Sequence, residues 1–239
     1  MTSNNPQFAI VIAARNESDN LAYTVNEIAE VLPKSNFEVV VVDDGSTDRS
    51  PQVLQDLSRQ HSFLRCLAHD RGCGKSAAIL TGVRAARAPH IVTMDGDGQN
   101  DPRFVVPLLE QLEPGVGLVA GQRVKHAHSR IKRIGSRMAN GLRAAMLKDS
   151  TRDTACGLKA FPRDVFLRLP YFDTMHRFLP ALVLREGLSV RHIDVTDRPR
   201  LHGTSNYGVW DRLLVGLLDL LGVWWLIRRR KRIPDTSEE

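Results

Sequence analysis

Short runs rich in valine and isoleucine punctuate the first half of the chain: Phe8 to Ala14, Phe37 to Val42, Leu64 to Ala68, His90 to Met94 and Val116 to Gly121. Unbroken apolar runs of this length read as strands buried on both faces. Between them the period changes. Leu21, Val25, Ile28 and Leu32 recur at helical spacing, as do Val53, Leu54 and Leu57. Ser50-Pro51 and Asp101-Pro102 each read as an N-cap followed by proline at the first helical position. The alternation predicts an α/β fold, with a mainly parallel sheet and helices on both faces. Ligands of such sheets bind beyond the C-terminal strand ends, so the polar residues after each run are the first candidates for a site.

The second half is less regular. Ile131, Ile134, Met138, Leu142 and Met146 recur at helical spacing; packing on the core is the expected use of that stripe, with membrane contact as the alternative. Ser189 to Val195 reads as a further strand. Leu213 to Ile227 is apolar apart from Asp219 and is followed by Arg228 to Arg232, with Trp224 and Trp225 beside the basic block. As a helix it would span roughly 22 Å at ~1.5 Å per residue, short of the ~30 Å hydrocarbon core. Tryptophans next to cations suit an interfacial anchor, and a helix buried against the domain is the competing reading. The expected organisation is one domain over residues 1–209 and a membrane-associated helix with a basic tail over 210–239.

Length and charge sharpen this picture. A chain of 239 residues supports one large domain. A cleaved signal peptide is not expected, because no basic start leads into an apolar run. Cys66, Cys73 and Cys156 form no paired spacing, which argues against a disulfide framework or a zinc site. The net charge of +6 is unevenly placed: Pro114 to Lys148 contains no acidic residue but includes Arg123, Lys125, Arg130, Lys132, Arg133, Arg137, Arg143 and Lys148. A charge run is commonly only a solvated face. Two such blocks point instead to phosphates or an anionic membrane surface. No nucleic-acid partner is expected, since no binding motif accompanies the charge.

The candidate chemistry follows two strands. Asp43-Asp44-Gly45-Ser46 after the second run could bind a base or ribose, or simply turn the chain. Asp95-Gly96-Asp97-Gly98-Gln99 after the fourth offers clustered hard oxygen ligands, suited to Mg²⁺ or Mn²⁺ on a phosphate substrate. An EF-hand reading fails for want of the closing glutamate. A P-loop reading of the stretch ending Gly74-Lys75-Ser76 fails because His69 stands where the first glycine belongs. Gly72 and Gly74 before a helix can still form a backbone turn near a diphosphate.

Taken in order, these pieces resemble glycosyltransferase family 2, and within it the polyprenyl-phosphate branch that includes dolichol-phosphate mannose synthase. The matching stretches are Ala13 to Glu17 for PxxNE, Asp43 to Ser46 for DDxS, Gly72 to Ala77 for GxGxA and Asp95 to Gln99 for DADxQ. They continue with Ser136 to Asn140 for SRxAN, Asp153 to Phe161 for DxxxGFRAF and Arg200 to Asn206 for RxxGxSK. The resemblance implies a GT-A-type, Rossmann-like fold and sugar transfer from a nucleotide-sugar to a polyprenyl phosphate, with inversion. It implies that Ala13, Arg15, Glu17, Asp44, Gly74 and Asp95 meet the nucleotide and that Asp97 and Gln99 hold the metal. Arg123, Ser136, Arg137, Arg200 and Ser205 would meet the acceptor phosphate, and Asp95, Asp97 and Arg137 would be catalytic. Two departures stand out: Arg15 replaces a frequent aromatic residue, and Asn206 replaces the family's lysine.

The Leu201 to Gly208 and Gly222 to Leu226 stretches are similar to bacterial enzymes that load uronic acids on dodecaprenyl phosphate, which makes galacturonate the first candidate sugar. Their setting implies the cytoplasmic face of a bacterial inner membrane, in cell-envelope or lipopolysaccharide synthesis. Two other functions stay open: transfer to a sugar hydroxyl, with Asp153 as its base, and a noncatalytic membrane-bound nucleotide-binding module. A homo-oligomer is also left open.

Overall fold

The computed structural model describes residues 5–32, 36–124, 143, 145–199 and 209–229, with the backbone alone over 209–215. The strands are β1 (Phe8–Ala14), β2 (Phe37–Asp43), β3 (Leu64–Ala68), β4 (His90–Asp95), β5 (Val116–Arg123), β6 (Lys159–Pro162) and β7 (Ser189–Val195). The helices are α1 (Ser18–Val31), α2 (Ser50–Gln60), α3 (Lys75–Ala85), α4 (Val105–Glu110), α5 (Arg163–Arg168), α6 (Leu179–Arg185) and α7 (Val209–Arg228). Short 3-10 turns cover Pro102–Phe104 and Met175–Arg177.

One sheet in the order β3-β2-β1-β4-β6-β5-β7 organises these elements. The pairs β1–β2, β1–β4, β2–β3 and β5–β7 are parallel. Among the described strands, only β6 runs antiparallel, to both β4 and β5. The chain leaves β1 towards β2 and later crosses back to place β4 on β1's other side. That reversal opens a crevice between β1 and β4 at their C-terminal ends, where a doubly wound sheet binds ligands. There Ala13 lies beside both Val42 and Asp95 in register.

Alternate residues of the central strands feed two cores, as period-two geometry requires. Ala9, Val11, Val40, Val42 and Ile91 face one layer, which includes Ala78, Val83, Phe166 and Leu182. Ile10, Ile12, Val39, Val41 and Val92 face the other, with Leu21, Val25, Ile28 and Leu57. The helical stripe read from α1 is therefore its buried face.

Three features differ from the sequence reading. β6 has no apolar run of its own: it lies within a motif stretch, and only its pairing with β4 and β5 makes it a strand. Ser50 is the first residue of α2 rather than its cap; Asp48 Oδ1 accepts from the Ser50 N–H at 2.9 Å and does the capping. Asp101 does cap its 3-10 turn, accepting from Arg103 N. The third concerns α7. Leu220 and Val223 are buried in the first core, with Trp224, Leu226 and Ile227 partly buried against it. Leu217, Leu218, Leu221 and Trp225 are exposed. The helix thus docks on the domain by one face and presents leucines and a tryptophan on another. No described helix is long and apolar enough to cross a membrane. The stripe expected from Ile131 to Leu142 lies outside the described residues; Met146 packs against the first core.

Candidate active site

The loop after β1 and the loop after β2 are tied together. Asn16 adopts a left-handed conformation at φ 56°, its N–H donates to Ser46 Oγ at 2.8 Å, and Thr47 N donates to Asn16 Oδ1 at 2.8 Å. Glu17 N donates to Ser50 Oγ at 3.0 Å, and the Glu17 carboxylate accepts from Asn20 Nδ2 at 2.6 Å. Ala13, Arg15 and Glu17 therefore stand on one rim with the acidic turn of β2.

Asp44 links that rim to the glycine turn. Its Oδ1 accepts from Cys73 N at 2.8 Å and its Oδ2 from Gly74 N at 2.8 Å. Burial would raise this carboxyl, but the Cys73 N–H, His69 and the Gly74 N–H outweigh it and hold it below the usual carboxylate range. The Arg15 guanidinium lies against Gly72, where a Cβ would fall 2.4 Å from Arg15 Nη1. Arg15 thus covers the turn, and a side chain at Gly72 would push the guanidinium off it.

Among the described residues, Asp44, His69 and Cys73 offer three metal-type ligand atoms within 4.8 Å of one another. Hydrogen bonds already engage them. His69 Nδ1 lies 2.8 Å from Asp44 Oδ1, and its Nε2 lies 2.9 Å from Thr81 Oγ1. We read this group as the clamp that shapes the Gly72–Gly74 turn. Burial raises the Cys66 and Cys156 thiols to about 11, so both are inert, and all three cysteines are free.

Asp95 closes β4 at the crevice. Its carboxylate pairs with Lys75, the first residue of α3. Burial would raise the Asp95 carboxyl; the Lys75 charge outweighs it and keeps Asp95 ionised. Asp95 N donates to Asn100 Oδ1 at 2.9 Å. The carboxylate sits where a side chain at Gly157 would be: a Cβ there would fall 2.5 Å from Asp95 Cγ. Thr93 Oγ1 donates to Gly157 O at 2.7 Å and holds that backbone in place. Lys159 lies beneath, 4% exposed, donating to Thr154 O at 3.3 Å and to Cys156 O. Burial pushes its pKa down to about 8.

Asp97 is buried, and its Oδ1 accepts from Gln99 N at 3.2 Å. Gln99 uses its amide nitrogen on Arg198 O at 3.3 Å, not the oxygen a cation would take. Two carboxylates and an amide oxygen make an all-oxygen donor set, which fits a hard divalent ion.

Arg123 is held by acids. Its Nε and Nη2 donate to the two Asp153 oxygens at 2.6 and 3.0 Å, and its Nη1 donates to Asp197 Oδ2 at 3.1 Å. Burial raises Asp153, but the bidentate guanidinium lowers it further and leaves it below the ordinary range. Burial raises Asp197, and Arg123 only partly offsets that. Ser136, Arg137, Arg200 and Ser205 lie outside the described residues. The described part thus brings together Ala13, Arg15, Glu17, Asp44, Gly74, Asp95, Asp97 and Gln99 on the C-terminal strand ends, with Arg123 at the end of neighbouring β5.

Sequence reasoning missed Lys75, Lys159 and Asp197. Lys75 was visible as the lysine of a failed P-loop, and Lys159 stands where the family stretch has arginine. Asp197 left no signal.

A model of glycosyl transferase family 2 matches residues 9–169. The chain belongs to this family. It is 31% identical over 233 residues to a dodecaprenyl-phosphate galacturonate synthase of Rhizobium johnstonii, covering 95% of this chain and 69% of that one. It is 29% identical over 204 residues to an undecaprenyl-phosphate 4-deoxy-4-formamido-L-arabinose transferase of Edwardsiella ictaluri, covering 84% and 63%. The chain therefore spans about two thirds of the length of these curated relatives.

Among solved structures, the fold is similar to mannosyl-3-phosphoglycerate synthase from Rubrobacter xylanophilus (TM-score 0.74, 16% identity, 97% of this chain and 79% of that one). It is also similar to glucosyl-3-phosphoglycerate synthase from Mycobacterium tuberculosis in complex with Mn²⁺, UDP and glucosyl-3-phosphoglycerate (TM-score 0.70, 18% identity, 97% and 82%). The family 2 chain has the GT-A-type fold that its motifs implied.

The family 2 site also rests on a half-buried histidine. Ser76 Oγ, on the first turn of α3, lies 2.8 Å from His176 Nδ1. Burial, with Lys75 nearby, pushes His176 from 6.5 down to about 2. Below pH 6.5 the unfolded chain therefore takes up a proton that the folded chain refuses. Folding stability is expected to fall as pH drops through that window, by up to about 1.4 kcal/mol per pH unit from this group. Denaturant titrations between pH 7.5 and 4.5 check this, and His176→Asn should flatten the slope.

Proposed function

We propose that this chain transfers a sugar from a nucleotide-sugar to the phosphate of a polyprenyl phosphate, at an anionic membrane surface. The observation that carries the choice of acceptor is the Arg123–Asp153 pair. A hydroxyl acceptor needs a carboxylate base, and Asp153, the candidate for that role, is locked bidentately and held below the ordinary range. A lipid phosphate needs no such base, being already anionic with a second pKa near ~6. The names of the two curated relatives, both polyprenyl-phosphate sugar transferases, support the same acceptor. Galacturonate is the first donor sugar to test.

In this reading the rim formed by Ala13, Arg15, Glu17 and Asp44 takes the nucleoside, and the Gly72–Gly74 turn lies at the diphosphate. Asp97 and Gln99, beside Asp95, would hold Mg²⁺ or Mn²⁺, which supplies charge neutralisation of the leaving diphosphate. Lys75 keeps Asp95 ionised and oriented. Arg123, Ser136, Arg137, Arg200 and Ser205 are assigned to the acceptor phosphate. Catalysis is then mainly positioning and electrostatic stabilisation, with inversion from in-line attack. A donor panel offered with short polyprenyl phosphates, with the lipid product identified by mass, tests the assignment.

The exposed stripe of α7 supports docking on the cytoplasmic leaflet of a bacterial inner membrane. Leu217, Leu218, Leu221 and Trp225 share a face, and Arg228 and Arg229 stack near Trp224 and Trp225 at 4.3 and 5.8 Å. Changing those four exposed residues to serine should weaken co-sedimentation with phosphatidylglycerol vesicles at least tenfold, roughly the loss of one to two buried methylenes or more. The folded core should be untouched, whereas truncation from Trp210 would also remove Leu220 and Val223 from the first core. Neutralising Arg228 to Arg232 should weaken binding partly and remove most of its salt dependence. Unchanged pelleting of the serine variant would place the anchor elsewhere.

A further inference from the structure

Asp219 is the one charged residue in the described part of α7 between Gly216 and Ile227, and the apolar face has no use for it. It does not face open solvent: Thr174 Oγ1 donates to Asp219 Oδ2 at 2.5 Å, forty-five residues away in the chain. Thr174 is left-handed at φ 62°, ψ 2°, a conformation that a β-branched residue keeps only where its surroundings impose it.

The neighbours of Thr174 reach the glycine turn from two sides. Asp173 Oδ1 accepts from Thr174 N at 2.8 Å and lies 3.3 Å from where a Cβ on Gly74 would be. His176 N donates to Ser76 Oγ at 3.3 Å, two residues after Gly74, and its ring meets the same hydroxyl. Met175, between them, is buried in the first core. The segment 173–176 is thus a bracket, fastened to α7 at one end and to the Gly74–Ser76 turn at the other.

We infer that Asp219 is a positioning residue: through Thr174 it holds this bracket on the Gly72–Lys75 turn, so that the docking of α7 sets the geometry of the turn. This rests on the transferase reading only for what the turn binds. The helix that presents the apolar stripe then also presets the backbone N–H groups of Cys73 and Gly74 that Asp44 organises. An ordinary docking hydrogen bond would stabilise the helix alone or the whole domain, and would not single out the turn.

Amide hydrogen exchange on the full chain separates these cases without sugar, nucleotide or lipid, so its outcome is independent of the proposed activity. Asp219→Leu makes α7 more apolar and should speed exchange at the Cys73 and Gly74 amides about tenfold, the size expected for losing a hydrogen bond to a charged group. The Val39 to Val42 amides of β2 should not change. Thr174→Ala should act alike, and the double variant should do no more than either single one. Asp219→Asn, whose amide oxygen still accepts the threonine hydroxyl, should keep most of the protection. Unchanged exchange at the turn in both single variants, an equal rise across the sheet, or fully additive effects would each overturn the proposal.

Discussion

Replacing Asp97 by asparagine is expected to lower the sugar-transfer rate about a thousandfold, the upper range for removing one preorganised electrostatic contact at a developing charge. Asparagine has nearly the same shape, and its amide oxygen can still accept the Gln99 N–H that Asp97 Oδ1 now accepts at 3.2 Å. The turn after β4 should therefore keep its path. What is lost is the negative charge that a divalent ion needs beside Asp95. A chelator added to the unaltered protein should have a comparable effect, reversed by Mg²⁺ or Mn²⁺. Thermal melting should show a folded variant. Full activity after either treatment would remove the metal from the account.

Gly157→Ala should cost more than a hundredfold in rate with only a small loss of stability. The added methyl would fall 2.5 Å from Asp95 Cγ and 2.6 Å from each of its oxygens. Contacts that short are not tolerated, so the carboxylate must move away from Lys75 and the crevice. Displacement by about 1 Å of a group that orients substrate can by itself cost about a hundredfold. The backbone need not move, since Thr93 Oγ1 still anchors Gly157 O. Nucleotide affinity measured by calorimetry should change less than turnover, because the rim formed by Arg15, Glu17 and Asp44 is untouched. An alanine variant with normal turnover would mean that Asp95 acts from another position.

These two residues also show how far the sequence alone carries. Asp97 could be read directly: an apolar strand ending in clustered oxygens has a conventional meaning in a parallel sheet. The same holds for β1, β2, β4 and β5, whose runs are apolar because both their faces are covered; β3 and β7 were legible as strands too, although they are only partly covered. Gly157 could not be read that way, because its role depends on β6 lying antiparallel between β4 and β5. A four-residue strand with a buried lysine in it has no periodic signature. Asp219 was legible only as an oddity in an apolar helix, and its partner Thr174 is too distant in sequence to suggest itself. For α7 the sequence allows two readings, an interfacial anchor and a helix buried against the domain, and does not say which residues serve which. Leu220 and Val223 belong to the core, while Leu217, Leu218, Leu221 and Trp225 are exposed.

The central claim is that a lipid phosphate, rather than a hydroxyl, receives the sugar. A competition assay tests it most directly: a short polyprenyl phosphate and the corresponding polyprenol are offered in equal amounts, with UDP-galacturonate as the first donor and a panel of other nucleotide-sugars beside it. The account predicts a product in which the sugar is bonded to the lipid phosphate, with nucleoside diphosphate released in equal amount and the polyprenol left unchanged. Sugar joined to the polyprenol, or to an added sugar hydroxyl, with the polyprenyl phosphate recovered intact would contradict it.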